Sequence, residues 1–413
     1  MLRAGERAVD LLYVQAGRLG LWSPVERPAS VRLVGDTRWP ANLPKAAAYF
    51  ALWRNTGSVS PGTDLVPELI AKYQEMKQQA AKAGQRLVGL QIDHDCPTDS
   101  LQEYARFLKE LREALPPEDL LSITALLDWF RPGTRVVDVL RWVNEYVPQF
   151  YDVEPAWLQP KDPVPIAKAI NPSKWGPIFN TYGCPYRIGI ATFGRIAWVK
   201  PQPFKTVERR YFRDLSPVHI VTHKEFARIA ELHNDAGEAV VRYEAKRDVA
   251  IEYYRFSPGD IIEMVLPTQE SVYSAYTAAK AFGGLCAGVV FFRWPENDEA
   301  LVLLPDEVQD IIVGHGLASR RSQVEAEDGE CALVGCANLY VRLGERYPKK
   351  PVSLWIHSSS ELEYILPAER VSMKVRGPRT LEINIPPYAG EPRLYLGRAV
   401  TRDHAEFTLK TTP

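Results

Sequence analysis

The chain has 413 residues, 46% of them hydrophobic, with 50 Lys and Arg against 51 Asp and Glu. That is enough apolar material for a large core, and the near-neutral balance excludes the charge signature of a nucleic-acid or polybasic membrane surface. No apolar run approaches the length of a membrane span, and Met1–Arg7 has no signal-peptide hydrophobic region, so the expectation is cytoplasmic, or periplasmic or secreted if an export signal was removed.

In chain order, Leu11–Arg18 and Tyr49–Arg54 read as strands. Leu65–Ala83 is an amphipathic helix, with Leu65, Leu69, Ile70, Tyr73 and Met76 at helical spacing and Gly84 as its stop. Arg86–Asp93 is the next strand. Leu101–Leu115 is a helix with Leu101, Tyr104, Phe107, Leu108, Leu111 and Leu115 on one stripe, ended by Pro116 and Pro117. Leu120–Trp129 is predicted as strand, Arg135–Glu145 as helix and Tyr146–Asp152 as strand. A proline-rich loop then leads to strand Tyr186–Phe193.

Residues 197–258 interrupt the pattern, with a basic and aromatic stretch at Lys200–Arg213 and a helical-looking one at Lys224–Asn234. Asp260–Leu266 resumes as strand, Ser271–Phe282 as helix and Ala287–Trp294 as a last strand. About eight strands alternating with helices predict a TIM-type (β/α)8 barrel over 1–316, with a loop insertion at about 197–258. In that frame the insertion walls the catalytic face, and Arg209, Arg210 and Arg213 would suit an acidic sugar. Beyond it, Cys331–Leu343, Val352–His357, Arg370–Val375, Thr380–Ile385 and Arg393–Leu396 are short β-branched segments between turns. They predict a β-sandwich-like domain over 317–413.

The segment that carries chemistry is Val88–Pro97, where an apolar strand ends in Asp93 and Asp95. Strand alternation puts both on one face, their Cα atoms roughly 6–7 Å apart, at the end of a barrel strand where ligands bind. A capping role would need only one of them, and two carboxylates this close raise one another's proton affinity. His94 points to the opposite face, so the trio cannot chelate one ion, and the five cysteines have no metal spacing. No metal and no cofactor are expected. Cys331 and Cys336, with four residues between them, can form a disulfide. Ser-His-Asp hydrolysis lacks a nucleophile elbow.

Residues 88–97 resemble the acidic strand-end motif of family 18 glycoside hydrolases, the chitinase-like barrels, and Tyr104–Leu115 looks like the helix that follows it. Val147–Asp152 is similar to that family's Tyr-Asp strand, and Gly283–Trp294 to its last strand, ending in a Trp that floors a sugar subsite. The chain as a whole, with Tyr186–Gly194, also resembles an uncharacterised bacterial family of domains of unknown function, family 3142. The resemblance implies catalytic roles for Asp93, Asp95, Tyr151 and Asp152, and substrate contacts from Trp294, Trp129, Trp53, Gln149 and Arg293. One departure stands out. Asp95 occupies the position of the chitinase general acid, a Glu, and is one methylene shorter, while Val88 and Gln91 replace other acids of the motif.

Two functions follow as expectations. One is a glycoside hydrolase-like enzyme that cleaves or remodels a polysaccharide or oligosaccharide, with Asp95 as acid and Asp93 as ionised partner. The other is a non-catalytic, lectin-like barrel that has lost the family's Glu. A second acid such as Asp152, Asp128 or Glu263 across the cleft would favour the enzyme.

Overall fold

The computed structural model describes residues 9–22, 30–34, 38–40, 43, 46–55, 57, 59–151, 165–201, 207–212, 215, 217–221, 223–233, 236–251, 253–294, 301–313, 322–343, 351–368, 371–386 and 393–410. The chain divides into two compact units. The first comprises Met1–Asp152, Ala167–Ile190 and Ser274–Phe292, the second Val153–Ile166, Ala191–Tyr273 and Arg293–Pro413.

The first unit opens with β1 (Val9–Trp22), β2 (Ser30–Val34) and β3 (Ala46–Asn55), then α1 (Val66–Lys82), β4 (Leu87–His94) and α2 (Leu101–Ala114). It continues with β5 (Leu120–Leu126), α3 (Val136–Leu140), β6 (Glu145–Gln149), α4 (Pro172–Asn180) and β7 (Tyr186–Ala191). Strands β1, β3, β4, β5, β6 and β7 pair in parallel as neighbours. The helices between them bury one stripe each: Leu69, Tyr73, Met76 and Ala80 from α1, and Leu101, Tyr104, Phe107, Leu108 and Leu111 from α2. Gly84, at φ +70°, ends the turn after α1 in the left-handed conformation that glycine adopts without strain. Gly89 in β4 is required for a different reason, since a Cβ there would collide with the Leu120 carbonyl oxygen of β5.

Beyond β7 the chain runs through β8 (Arg195–Pro201), β9 (Val207–Phe212), α5 (Pro217–Val221), β10 (Phe226–His233), β11 (Ala239–Ala245), β12 (Val249–Ile251), β13 (Tyr254–Phe256) and β14 (Ile261–Leu266). Helix α6 (Gln269–Lys280) then leads to β15 (Cys286–Phe292), which completes the first sheet beside β7 in the order β15-β7-β6-β5-β4-β3-β1-β2.

The expected alternation of parallel strands and helices is present in the first unit. The fold is mixed α/β with a largely parallel sheet, but among the described residues that sheet does not close, ending at β15 on one side and at β2, antiparallel to β1, on the other. The strand expected between β7 and β15, Ile261–Leu266, instead pairs antiparallel with β11 and β8 in the second unit. There it buries Ile262 and Met264 in a core with Ile196, Trp198 and Phe256. The sheet order is β10-β11-β14-β8-β9, with β12-β13 as a separate hairpin. Lys224–Asn234 is not helical: its centre is β10, paired along β11 with a register shift between Arg228 and Ala230. Cross-strand pairing outweighs a modest helix propensity.

Helix α3 is also shorter than expected. Glu145 leaves it to begin β6, where its buried carboxylate accepts hydrogen bonds from the Tyr13 hydroxyl, Ser122 Oγ (3.3 Å) and Arg187 Nε (3.0 Å). Gln91 joins the cluster by donating to Ser122 Oγ at 2.8 Å. A charge held by three donors inside a sheet fixes the register of the strands that supply them.

The rest of the second unit comprises α7 (Pro305–Val313), β16 (Gln323–Asp328), β17 (Cys336–Arg342), β18 (Val352–Ser358), β19 (Leu362–Pro367), β20 (Ser372–Gly377), β21 (Thr380–Ile385), β22 (Leu394–Thr401) and β23 (Phe407–Lys410). They form two four-stranded antiparallel sheets, β16-β17-β22-β19 and β20-β21-β18-β23, around a core that includes Leu339, Ile356, Leu381, Ile383 and Leu396. Cys331 and Cys336 are disulfide-bonded, whereas Cys96 and Cys184 are buried thiols.

Candidate active site

Four parallel strands bring polar residues to the same end of the first unit: Arg54 in β3, Asp93 in β4, Thr124 in β5 and Gln149 in β6. Arg54 and Asp93 are register partners, so their side chains leave the sheet on one face. Thr124 Oγ1 donates to Asp93 Oδ1 at 2.8 Å, Gln149 Nε2 approaches the same oxygen at 3.4 Å, and Arg54 Nε lies 3.7 Å from Oδ2. Burial raises the Asp93 carboxyl above its ordinary range, while the Thr124 hydroxyl and the Arg54 charge pull it back.

Asp95 does not continue the strand. Strand β4 ends at His94, and the Cys96 amide bonds back to the His94 carbonyl at 2.8 Å, so Asp95 occupies the apex of a tight turn. The expected pairing on one strand face is therefore replaced by a strand residue and a turn residue. They remain electrostatically coupled: desolvation first, then the Asp93 charge, raise the Asp95 carboxyl, and Arg54 opposes both. Asp95 is exposed by surface area, so water tempers this rise.

Tyr151, buried just beyond β6, stacks on Phe292 at 5.1 Å with the rings 8° from parallel and forms an antiparallel bridge with Ala167. Its hydroxyl shares a hydrogen bond with Gln149. Burial, followed by the charges of Asp93 and Asp95, holds it protonated well above the usual tyrosine range. Gln149 thus links the carboxylate to the phenol, and Asp93, Asp95, Gln149 and Tyr151 form one electrostatic group.

Other expected residues lie elsewhere. Trp53 and Trp129 are completely buried, and Trp129 donates its indole N–H to the Cys96 carbonyl at 2.8 Å, so neither offers a surface for stacking sugar. Both belong to the core, where a large ring is worth most. Asp152 falls outside the described residues. Arg293 and Trp294 fall in the second unit, where Trp294 is 39% exposed and the Arg293 carbonyl accepts from Thr192 Oγ1 at 2.9 Å. Of the expected partner acids, Glu263 is buried against Arg242 at 2.6 Å in the second unit, and Asp128 is paired with Arg131 at 2.7 Å. Within the insertion, Arg210 is exposed in β9, while Arg213 and the Arg209 side chain lie outside the described residues.

Arg54 and Thr124 escaped the sequence reading. Each carries a polar side chain one or two residues before the end of an apolar strand, and comparing such positions across strands would have found them.

His94 faces the helix-covered side, buried edge-on to Tyr104 at 5.0 Å. Its Nδ1 lies 3.0 Å from Asn55 Nδ2, and its Nε2 lies 3.5 Å from Ser60 Oγ. The Asn55 amide orientation is fixed, because Oδ1 accepts from the Gly57 N–H and Nδ2 donates to the Val59 carbonyl. Nδ1 must therefore accept, leaving the proton on Nε2 directed at Ser60. A serine nucleophile needs the reverse tautomer, so this Ser-His-Asn set is a structural network. Desolvation lowers the His94 pKa to about 4. Among the described residues no group of three or more His, Cys, Asp or Glu side chains is gathered to hold a metal.

No curated protein matches the chain. Similar solved structures include a chitinase from Bacillus thuringiensis, 11% identical over 87% of this chain and 80% of its own, with a TM-score of 0.37. The spore cortex-lytic enzyme SleL of Bacillus megaterium is 12% identical over 75% of both chains with a TM-score of 0.41, and that of Bacillus cereus 13% identical over 76% and 78% with a TM-score of 0.40. At such identities residue roles do not transfer. The stretch 63–208, which carries Asp93, Asp95, Thr124, Gln149 and Tyr151, matches the family described as a domain of unknown function, DUF3142.

Proposed function

We propose that the chain is a glycoside hydrolase-like protein that cleaves or remodels a polysaccharide by carboxylate acid/base chemistry. The observation that carries this reading is the unequal treatment of two coupled carboxyls. Thr124, Gln149 and Arg54 all point positive density at Asp93, which opposes the rise that burial gives its carboxyl. Asp95 accepts no such donor among the described residues and sits beside that charge, which favours retention of its proton. Burial raises both carboxyls, but only Asp93 has hydrogen-bond donors that oppose the rise, and two carboxyls in unlike surroundings are suited to separate acid and base roles.

In this reading Asp95 protonates the departing glycosidic oxygen. Asp93 orients the sugar and opposes the positive charge developing at the anomeric carbon; water, or a sugar hydroxyl in remodelling, then bonds to that carbon and gives up a proton that restores the Asp95 carboxyl. The Tyr151 hydroxyl, kept neutral, donates a hydrogen bond toward the reacting group from a buried and therefore rigid ring. The test is hydrolysis of a polysaccharide panel, measured as new reducing ends, by wild type beside Asp95→Asn. Loss of cleavage in a variant that unfolds at an unchanged or higher temperature is the expected outcome.

The exposure of Asp95 and its short side chain favour one competing reading, a lectin-like binder. Binding of a glycan without cleavage, at an affinity insensitive to Asp95→Asn, would decide for that reading.

A further inference from the structure

Three cations gather at the same end of the first unit. Lys168 follows Ala167, the bridge partner of Tyr151, and its amide donates to the Phe150 carbonyl at 2.8 Å. Lys174 lies in the first turn of α4. Their Nζ atoms converge on one buried indole, 5.9 Å and 5.1 Å from the Trp175 ring centroid. Arg131, leaving the turn after β5, is paired with Asp128 at 2.7 Å. Asp128, Lys174 and Arg131 are the charges facing Lys168.

The group therefore has three positive charges and one negative, and that negative charge is already engaged by Arg131. Among the described residues, neither lysine has a carboxylate within ion-pair range, although Lys168 is half-buried. An indole face offers an ammonium partial compensation. Lys174 and Arg131 are exposed and solvated, but Lys168 is partly desolvated beside two like charges, and a partly desolvated cation without a counter-ion is costly. The arrangement is electrostatically incomplete in a way that an incoming anion would correct.

We propose that Lys168, Lys174 and Arg131 form a subsite for the carboxylate of an acidic sugar unit bound next to Asp93 and Asp95. This rests on the glycan reading and names its substrate class. The link to the site is structural, because the bridge that positions Ala167 also positions Tyr151, whose hydroxyl senses both aspartates. A polymer seated on the pair would run past Tyr151 toward the segment that carries Lys168. Acidic-sugar recognition, expected from the arginines of the insertion, is here assigned to other residues in the first unit.

The test uses the full chain and calorimetric titration with oligogalacturonate, oligomannuronate and hyaluronan oligomers, each beside its carboxyl-reduced form. At least one acidic oligomer should bind at least tenfold more tightly than its reduced counterpart, with affinity falling steeply as salt rises. In the Lys168→Gln/Lys174→Gln variant that preference should collapse toward unity. Circular dichroism and the unfolding temperature verify that the variant is folded, and single Lys168→Arg and Lys174→Arg variants should retain the preference. Equal binding of acidic and reduced forms, or an undiminished preference in the folded double variant, overturns the subsite. If neutral glycans are bound or cleaved while acidic ones are ignored, the subsite fails and the glycan reading stands. If no glycan of either kind binds or is cleaved, both fail.

Discussion

His94 makes the most direct physical prediction, since it concerns the folded chain whatever that chain acts upon. The perturbation is His94→Gln, whose side-chain oxygen can still accept from Asn55 Nδ2. In the folded state His94 protonates only near pH 4, against an ordinary 6.5, because burial penalises the imidazolium. As pH falls from 6.5, the unfolded chain takes up the proton while the folded chain does not, so stability declines until about pH 4, where the folded state also protonates. A gap of about 2.5 pH units at 1.36 kcal/mol each gives a loss of ~3 kcal/mol. For a unit of this size that corresponds to roughly 6–12 °C in unfolding temperature. Asp93 and Asp95 act in the opposite direction, because a carboxyl with a raised folded pKa favours the folded state as it protonates on acidification. The informative quantity is therefore the difference between wild type and variant, followed by scanning calorimetry from pH 7 to pH 4. Wild type should lose about 3 kcal/mol relative to His94→Gln across that window. Parallel pH profiles would refute the idea that His94 is held neutral by burial.

Thr124→Val removes a hydrogen bond to a charged oxygen, worth ~1.5 kcal/mol or more, so the Asp93 carboxyl should rise by about one pH unit; carbon-detected NMR titration of the aspartates reads this, and no change would remove Thr124 from the site. Gly89→Ala should destabilise the first unit severely or prevent its folding, because the Cβ would press on the β5 backbone, and a normal unfolding temperature would contradict that packing. Cys331→Ser with Cys336→Ser should cost the second unit ~2 kcal/mol, the loop-closure entropy of so short a loop, and mass spectrometry after thiol alkylation should show this pair protected in the native protein. Limited proteolysis should cut near Ser319–Ser322, close to the expected domain boundary, and leave the part before it as a stable fragment; cleavage confined to 197–215 would place the boundary elsewhere.

What the sequence determined by itself is the local structure of the first unit. Apolar stripes at helical spacing fix α1 and α2, prolines and a glycine stop them, and apolar runs give β3 to β7, all within a few residues of expectation. The prominence of Asp93 and Asp95 was legible for the same reason, since two acids ending an apolar run are visible without knowledge of any partner. What depends on contacts between distant residues was not legible. Only the tertiary structure decided that Ile261–Leu266 joins an antiparallel sheet, since an apolar six-residue strand fits either sheet and its choice is made by the neighbours available to it. The same holds for β10, whose helix-like spacing yields to its partner β11. Trp53 and Trp129 show the limit for side chains: aromatic residues near strand ends look alike in sequence, and burial separates core from surface. The inequality of the two aspartates, finally, is set by Arg54, Thr124 and Gln149 on three other strands, and by a tight turn that takes Asp95 off β4. Electrostatics acts across space, so the residues that assign a carboxylate its role are its spatial neighbours, and folding alone makes them neighbours.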